Sequence, residues 1–310
     1  MHIFITGIAG FIGSNLAHTA LAQGFEVSGI DDLSTGAVKN IAGIQNKIHF
    51  HNGSILDQKL LKKALTDVDF VLHQAAIPSV PRSIKDPVTT STVNIMGTLN
   101  VLVTARDAAV NRIVLASSSS LYGDTPTLPK HEKMEPNPLS PYAVSKLTNE
   151  LHARQFYELY GLETICLRYF NVFGPWQDPN SEYSAVIPRF ITKMLANEPP
   201  TIFGDGNQSR DFTYIQDVVM ANFNSLEAPK NALGKAFNVG GGNQITLNQL
   251  VTLLNKLLAK NVQPIYGNER SGDIKHSYAD SSLAKQYLNY LPKYSFEQGL
   301  KETIMWFKGR

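Results

Sequence analysis

The chain has 310 residues and only one cysteine, Cys166. A single thiol excludes an intrachain disulfide and a cysteine-built metal cluster, and its place in the apolar run "TICLRYF" reads as a buried strand thiol. No metal site is expected. Excess charge is also missing: 28 Lys+Arg against 26 Asp+Glu leave a formal net charge of +2, and no basic run suits a phosphate backbone or a membrane surface. Nucleic acid and membrane are therefore not expected as partners. No apolar stretch is long enough to span a bilayer, and "MHIFITGIAGFIG" lacks the basic segment and cleavage site of a secretory signal. The expectation is a cytoplasmic protein. Internal repeats and low-complexity segments are absent as well, which excludes solenoids and propellers.

What the chain does have is apolar residues, at 43%, enough for a large core. Short apolar runs, "HIFIT", "FEVSGI", "KIHFH", "VDFVLHQAA", "RIVLASS" and "ETICLRYF", are each followed by a longer amphipathic or polar stretch. That alternation predicts an α/β protein with a parallel sheet covered by helices. Two long helices are expected over "TVNIMGTLNVLVTARDAAV" and "AVSKLTNELHARQFYELYG", the second stopping at Gly161. Beyond about residue 170 the rhythm loosens into Pro- and Gly-containing loops. Residues 1–170 are expected to form a Rossmann-type doubly wound domain. Residues 171–310 are expected mainly in a smaller, irregular α/β substrate lobe, with some segments returning to the first domain.

In "TGIAGFIG", Gly7, Gly10 and Gly13 stand where the first strand turns into a helix. Glycine there lets the backbone approach a pyrophosphate, packs the helix on the strand, and leaves free N–H groups facing the anion. The second strand, "FEVSGI", ends at Asp31, where a carboxylate accepts hydrogen bonds from an adenosine ribose. Asp32 follows and no arginine is near, so a 2′-phosphate would meet negative charge. The expected cofactor is NAD.

"SPYAVSK" places Tyr142 and Lys146 at i and i+4, on one face of a helix. An ammonium beside a phenol favours the phenolate and lowers a pKa that is ordinarily about 10. The pair is expected to act as a base, strengthened by the positive nicotinamide. The strand "RIVLASS" runs into further serines, bringing Ser118 to the carboxyl end of a parallel strand, where such sheets place their ligands.

At these residues the chain resembles the extended short-chain dehydrogenase/reductase family, with its Gly-x-x-Gly-x-x-Gly turn and its Ser, Tyr-x-x-x-Lys triad. In "SSSSLYG", Ser119 and Ser120 stand where nucleotide-sugar dehydratases and related decarboxylases usually carry an acid. With "LRYFNVFGP", "GDGNQSRDFTYIQDV" and "ERSGDIKHSYAD", this resembles the UDP-sugar 4-epimerase branch. The resemblance implies Ser118, Tyr142 and Lys146 as catalytic residues. It implies cofactor contacts from Gly7, Gly10, Phe11, Ile12, Gly13, Asp31, Ser54, Ile55, Ala75, Tyr142 and Lys146, with Ser54 departing from the aspartate usual at the adenine edge. For the substrate it implies Ser118, Asn171, Val186, Phe203, Arg210, Arg270, Asp273 and Ser277, with the two arginines clamping the diphosphate and Asp273 holding the uridine ribose. The implied chemistry is removal of the sugar 4-OH proton by Tyr142 with hydride passing to and from NAD, in a homodimer paired through the two long helices.

Ser277 stands where relatives restricted to UDP-glucose and UDP-galactose carry a tyrosine. The smaller residue leaves room for an N-acetyl group unless Tyr278 fills it. The wording of "SVPRSI", "NPLSPYAVSK" and "SAVIP" resembles the UDP-N-acetylglucosamine 4-epimerases. The expected reaction is interconversion of UDP-GlcNAc and UDP-GalNAc, with UDP-Glc/UDP-Gal as a second pair. The alternatives are a UDP-glucose 4-epimerase proper or another NAD-dependent nucleotide-sugar oxidoreductase.

Overall fold

The computed structural model describes residues 1–179, 185–269 and 274–309. Six strands precede residue 170: β1 (His2–Thr6), β2 (Glu26–Asp31), β3 (His49–Asn52), β4 (Phe70–His73), β5 (Arg112–Ser118) and β6 (Glu163–Tyr169). A seventh, Lys235–Val239, joins them from far along the chain and pairs with β6. All seven are parallel, in the spatial order Lys235–Val239, β6, β5, β4, β1, β2, β3. The doubly wound parallel sheet expected from the alternation is therefore present, and its order reverses between β1 and β4, opening a crevice at their carboxyl ends.

The period-2 pattern of the strands divides the core. Ile3, Ile5, Leu72, Val114, Ile165 and Leu167 point to one face, packing with helix α1 (Phe11–Ala22) and the Ile215–Leu226 helix. Phe4, Val71, Ile113, Leu115 and Cys166 point to the other. That face is covered by α2 (Gln58–Ala64), α5 (Gly97–Asp107) and α6 (Pro141–Tyr160), with α3 (Val80–Lys85) and α4 (Pro87–Ser91) packed on α6. Cys166 is buried there, as its sequence context indicates.

The two long helices differ in regularity. α6 starts at Pro141, with Ser140 accepting from the Ala143 amide, and stops at Gly161, whose φ of 71° is left-handed. The other starts five residues earlier than expected, at Pro87, with Asp86 as its cap, and loosens into a π turn over Thr92–Met96 before continuing as α5. Asn94, buried in that turn, accounts for the local departure. Its side chain accepts from the Ile77 amide (2.8 Å) and donates to Ser145 Oγ (3.1 Å), while its carbonyl accepts from Thr98 and Asn149.

The later part of the chain is built from short pairs: Val172–Phe173 with Thr213–Tyr214, Ser209–Arg210 with Ile245–Thr246, and Thr201–Phe203 with Ile265–Gly267. Two amphipathic helices, Val186–Leu195 and Leu247–Leu258, pack on each other. Their buried residues Phe190, Ile191, Leu250 and Leu254 are continuous with the core of the main sheet. Among the described residues no helix is long and apolar enough to cross a membrane.

Candidate active site

β1 hands over to α1 through a turn with no room for side chains. Gly7 has φ +69°, and a Cβ on Gly13 would lie 2.1 Å from the Gly7 carbonyl oxygen. Gly10 is the N-cap and offers no side chain to the first-turn N–H groups, so Phe11 and Ile12 begin α1 with amides open to an anion. Asp31 closes one side. Its Oδ2 accepts from the Ala9 amide (2.9 Å) and its Oδ1 from Leu33 (2.8 Å). Burial raises its pKa, opposed by these backbone bonds. Ala75 packs directly against Gly7, and Ile55 lies buried against Gly97. Ser54 turns its hydroxyl to its own loop, accepting from the Leu56 amide at 3.3 Å.

The cradle thus fits a dinucleotide on two independent observations: a steric gap only glycine can leave, and an oriented carboxylate at the end of the neighbouring strand. Behind it His73, fully buried, bridges Thr6 (2.7 Å) and Thr98 (2.8 Å). Burial lowers its pKa to about 3, so it stays neutral and serves as a polar pin between sheet and helix.

Beside the crevice, Ser118, Tyr142 and Lys146 come together from the end of β5 and the first turns of α6. Lys146 Nζ lies 5.9 Å from the centre of the Tyr142 ring and donates to the Ala116 carbonyl at 2.8 Å. Ser118 hydrogen bonds with the Tyr142 phenol and also accepts from the Ser120 amide (3.1 Å). The expected lowering of the Tyr142 pKa by its ammonium neighbour is not found. Burial raises it, with only the Ser118 bond pulling the other way. The physical reason is shared desolvation: Lys146 is itself buried, which brings its pKa down to about 8, against the opposing influence of Cys166 and Glu150. In the chain alone Tyr142 rests as a phenol, and further positive charge is needed to draw its proton.

A cavity in the later part of the chain is lined among others by Asn171, Val186, Phe203, Arg189, Arg210 and Leu247. Four of the expected substrate residues thus share one wall. Arg210 is held from behind by donating to the Ser209 (2.9 Å) and Lys275 (3.2 Å) carbonyls. Asn171 adopts φ +32°, which its short side chain tolerates, and donates to the Asp211 carbonyl (3.0 Å) and to Ser277 Oγ (3.4 Å). Ser277 is buried beside it. Arg270 and Asp273 lie outside the described residues.

Two features were not read from the sequence. Asp211 accepts from the amides of Gly241 (2.9 Å), Asn243 (3.3 Å) and Ala279 (3.0 Å), gathering the loops around Asn171. Burial raises its pKa to about 6. Glu150 and Arg168 form a buried ion pair behind Ser117. Glu150 continues the Tyr142, Lys146 stripe at i+4, which was its available signal.

The switch-point cradle and the serine, tyrosine and lysine beside it define a dinucleotide-dependent enzyme of the short-chain dehydrogenase/reductase type. Comparison with known proteins narrows the class. The profile of the NAD dependent epimerase/dehydratase family matches residues 3–240. A UDP-N-acetylglucosamine 4-epimerase from Methanobrevibacter ruminantium, solved in complex with UDP-N-acetylmuramic acid, is 38% identical with a TM-score of 0.95, covering 99% of this chain and 98% of that one. A UDP-glucose 4-epimerase from Thermotoga maritima, solved with UDP-glucose, is 35% identical with a TM-score of 0.95, over 100% and 99% of the two chains. A UDP-glucuronate 4-epimerase from Thermodesulfobacterium geofontis is 37% identical over 99% of this chain and 96% of its own. The chain belongs to the NAD dependent epimerase/dehydratase family, and NAD is its cofactor.

The Asp31 geometry generates a measurable expectation. Asp31→Ala removes a ribose contact and a repulsion for a 2′-phosphate together. NAD should bind about tenfold or more weakly while NADP binding holds or improves, as read by cofactor titration of the stripped protein. Equal affinity of the wild type for NAD and NADP would contradict it.

Proposed function

We propose that the protein is a UDP-hexose 4-epimerase that interconverts UDP-GlcNAc and UDP-GalNAc, with UDP-glucose and UDP-galactose as a second substrate pair. The observation that carries the reaction type is the approach of Ser118, Tyr142 and Lys146 at the end of β5, in a chain that also holds a dinucleotide cradle and a cavity lined by Asn171 and Arg210. The sugar choice rests on Ser277. Its small side chain accepts from Asn171, which lines the cavity, at 3.4 Å, and a bulky residue there would crowd the sugar site of this reading. The named activity of the Methanobrevibacter relative supports the same choice.

In this reading Arg210, with Arg270, binds the diphosphate, Asp273 the uridine ribose and Phe203 the uracil end, while the backbone at Val186 faces the phosphates from the start of its helix. Ser118 donates to the sugar O4 and orients it. The Tyr142 oxygen takes the 4-OH proton and later returns it, and Lys146 stabilises the phenolate between the two transfers. NAD, when bound, supplies a reversible hydride acceptor beside the sugar C4 and a positive charge that favours phenolate. Because each group ends as it began, no external oxidant is consumed. Ser119 and Ser120, hydroxyls where an elimination would need an acid to protonate the departing 6-OH, leave the C5–H and C6–O bonds intact.

The protein is further proposed to act as a homodimer. Exposed Ile84, Val88 and Met96 lie on the segments packed beside α6, which itself exposes Val144 and Leu151. Such an apolar surface on a neighbouring pair of helices suits a second copy.

Three outcomes are expected. The holoenzyme epimerises UDP-GlcNAc with no added cofactor, and Tyr142→Phe lowers kcat by on the order of a hundredfold or more with the fold intact; a variant turning over near the wild-type rate refutes the proton-transfer role. Ser277→Tyr abolishes activity on the N-acetyl sugars while sparing UDP-glucose, and equal loss on both, measured by coupled assay, contradicts the pocket reading. Light scattering gives the mass of two chains for the wild type and of one for Leu151→Glu; a monomeric wild type removes the dimer.

A further inference from the structure

Behind the tyrosine and lysine lies a buried ion pair that the proposed mechanism does not use. Glu150 sits one helical turn beyond Lys146 on α6. Its Oε1 accepts from Ser117 Oγ (2.5 Å) and Arg168 Nε (2.9 Å), and its Oε2 from Arg168 Nη2 (2.7 Å). The two side chains are 7% (Arg168) and 9% (Glu150) exposed. Arg168 also donates through Nη1 to the Tyr122 hydroxyl (2.7 Å), which in turn donates to Asn238 Oδ1 (2.7 Å). The guanidinium is thereby fixed on three sides.

Three consecutive residues of β5 are tied to one stripe of α6. Ala116 accepts from Lys146, Ser117 donates to Glu150, and Ser118 bonds with Tyr142. The tie at Ser117 is the only one of the three whose helix partner is a carboxylate. We propose that Glu150 is a positioning residue for the reaction, holding the end of β5 against α6 and keeping Lys146 charged through its carboxylate, with Arg168 as the counter-charge that limits that field. The inference rests on the reading of Tyr142 and Lys146 given above.

The groups that act on Lys146 are Tyr142 and Glu150 from its own helix, His73 from β4 and Cys166 from β6, while Arg168 of β6 faces Glu150 and Cys166. Burial keeps His73 neutral and pushes the Cys166 thiol well up, so near neutral pH neither carries charge. Tyr142 is charged only as the phenolate. The fixed charge left beside Lys146 is Glu150, which raises its pKa and is itself paired with Arg168. Without the carboxylate, Lys146 loses a raising influence and gives up its proton at lower pH. Without the guanidinium, the bare carboxylate holds that proton to higher pH.

The test is the pH dependence of kcat and KM for UDP-sugar epimerisation by the holoenzyme. The alkaline limb, where Lys146 loses its proton, should move down by about one unit in Glu150→Gln and up by a similar amount in Arg168→Gln, with KM changing less than about twofold. Limbs that move together, or not at all, overturn the proposal, because a purely structural pair predicts no opposed shifts. If either single variant fails to fold, Glu150→Met with Arg168→Met removes both charges while filling the space with apolar side chains. That double variant should lose about tenfold or more in kcat at unchanged KM, since Ser117 has lost its tether; wild-type kcat would overturn the proposal. Tyr142→Phe is the control: activity in it removes the underlying reading, whereas inactivity with unmoved limbs removes only the role of Glu150.

Discussion

The contact between Gly13 and the Gly7 carbonyl sets the terms for everything else in the site. With 2.1 Å between that oxygen and the place a Cβ would occupy, α1 starts directly at the end of β1 and lies close along the sheet. The helix start then points its unpaired amides across the crevice at which the strand order reverses. β2 and β4, paired on either side of β1, deliver Asp31 and Ala75 to the two flanks of the same turn. A methyl group at Gly13 would lift the helix off the strand, and one at Gly7 would meet the Ala75 backbone at 3.0 Å, so that the two flanking residues would no longer face one space.

Burial of charge is the second theme, and it acts in opposite directions on the acidic and the basic groups of the site. Desolvation raises the pKa of Asp31 and Tyr142 and brings that of Lys146 down. Each ionised form is thereby held at a disadvantage that a dinucleotide and a nucleotide diphosphate, carrying charges of both signs, can offset on arrival. Removing one member of the Glu150–Arg168 pair would leave an uncompensated buried charge, a change that typically costs about 3–5 kcal/mol.

Much of this arrangement was legible in the sequence because it depends on local spacing. Strand alternation gave the parallel sheet, the glycine triplet the cradle, and the i, i+4 spacing the pairing of Tyr142 with Lys146. What was not legible depends on surroundings. The Tyr142 pKa moves upward because the helix face is dry, which the spacing of two side chains does not encode. The π turn at Asn94 answers to Ile77, Ser145 and Asn149, all distant in sequence. The ties between Ser117, Glu150 and Arg168 likewise join one helix to two strands, although Glu150 sits openly on the tyrosine stripe. Arg270 and Asp273 follow from the resemblance alone.

The strand Lys235–Val239 crosses a boundary that composition would draw near residue 170. It pairs with β6 from Ile165 to Tyr169, so the edge of the sheet is finished by chain made some seventy residues later. Until that segment has emerged from the ribosome, β6 offers a row of bare amide and carbonyl groups to any other extended chain. The nascent chain thus carries this open edge while residues 170–234 are made, and the sheet can close before Leu247 and Ser277 exist.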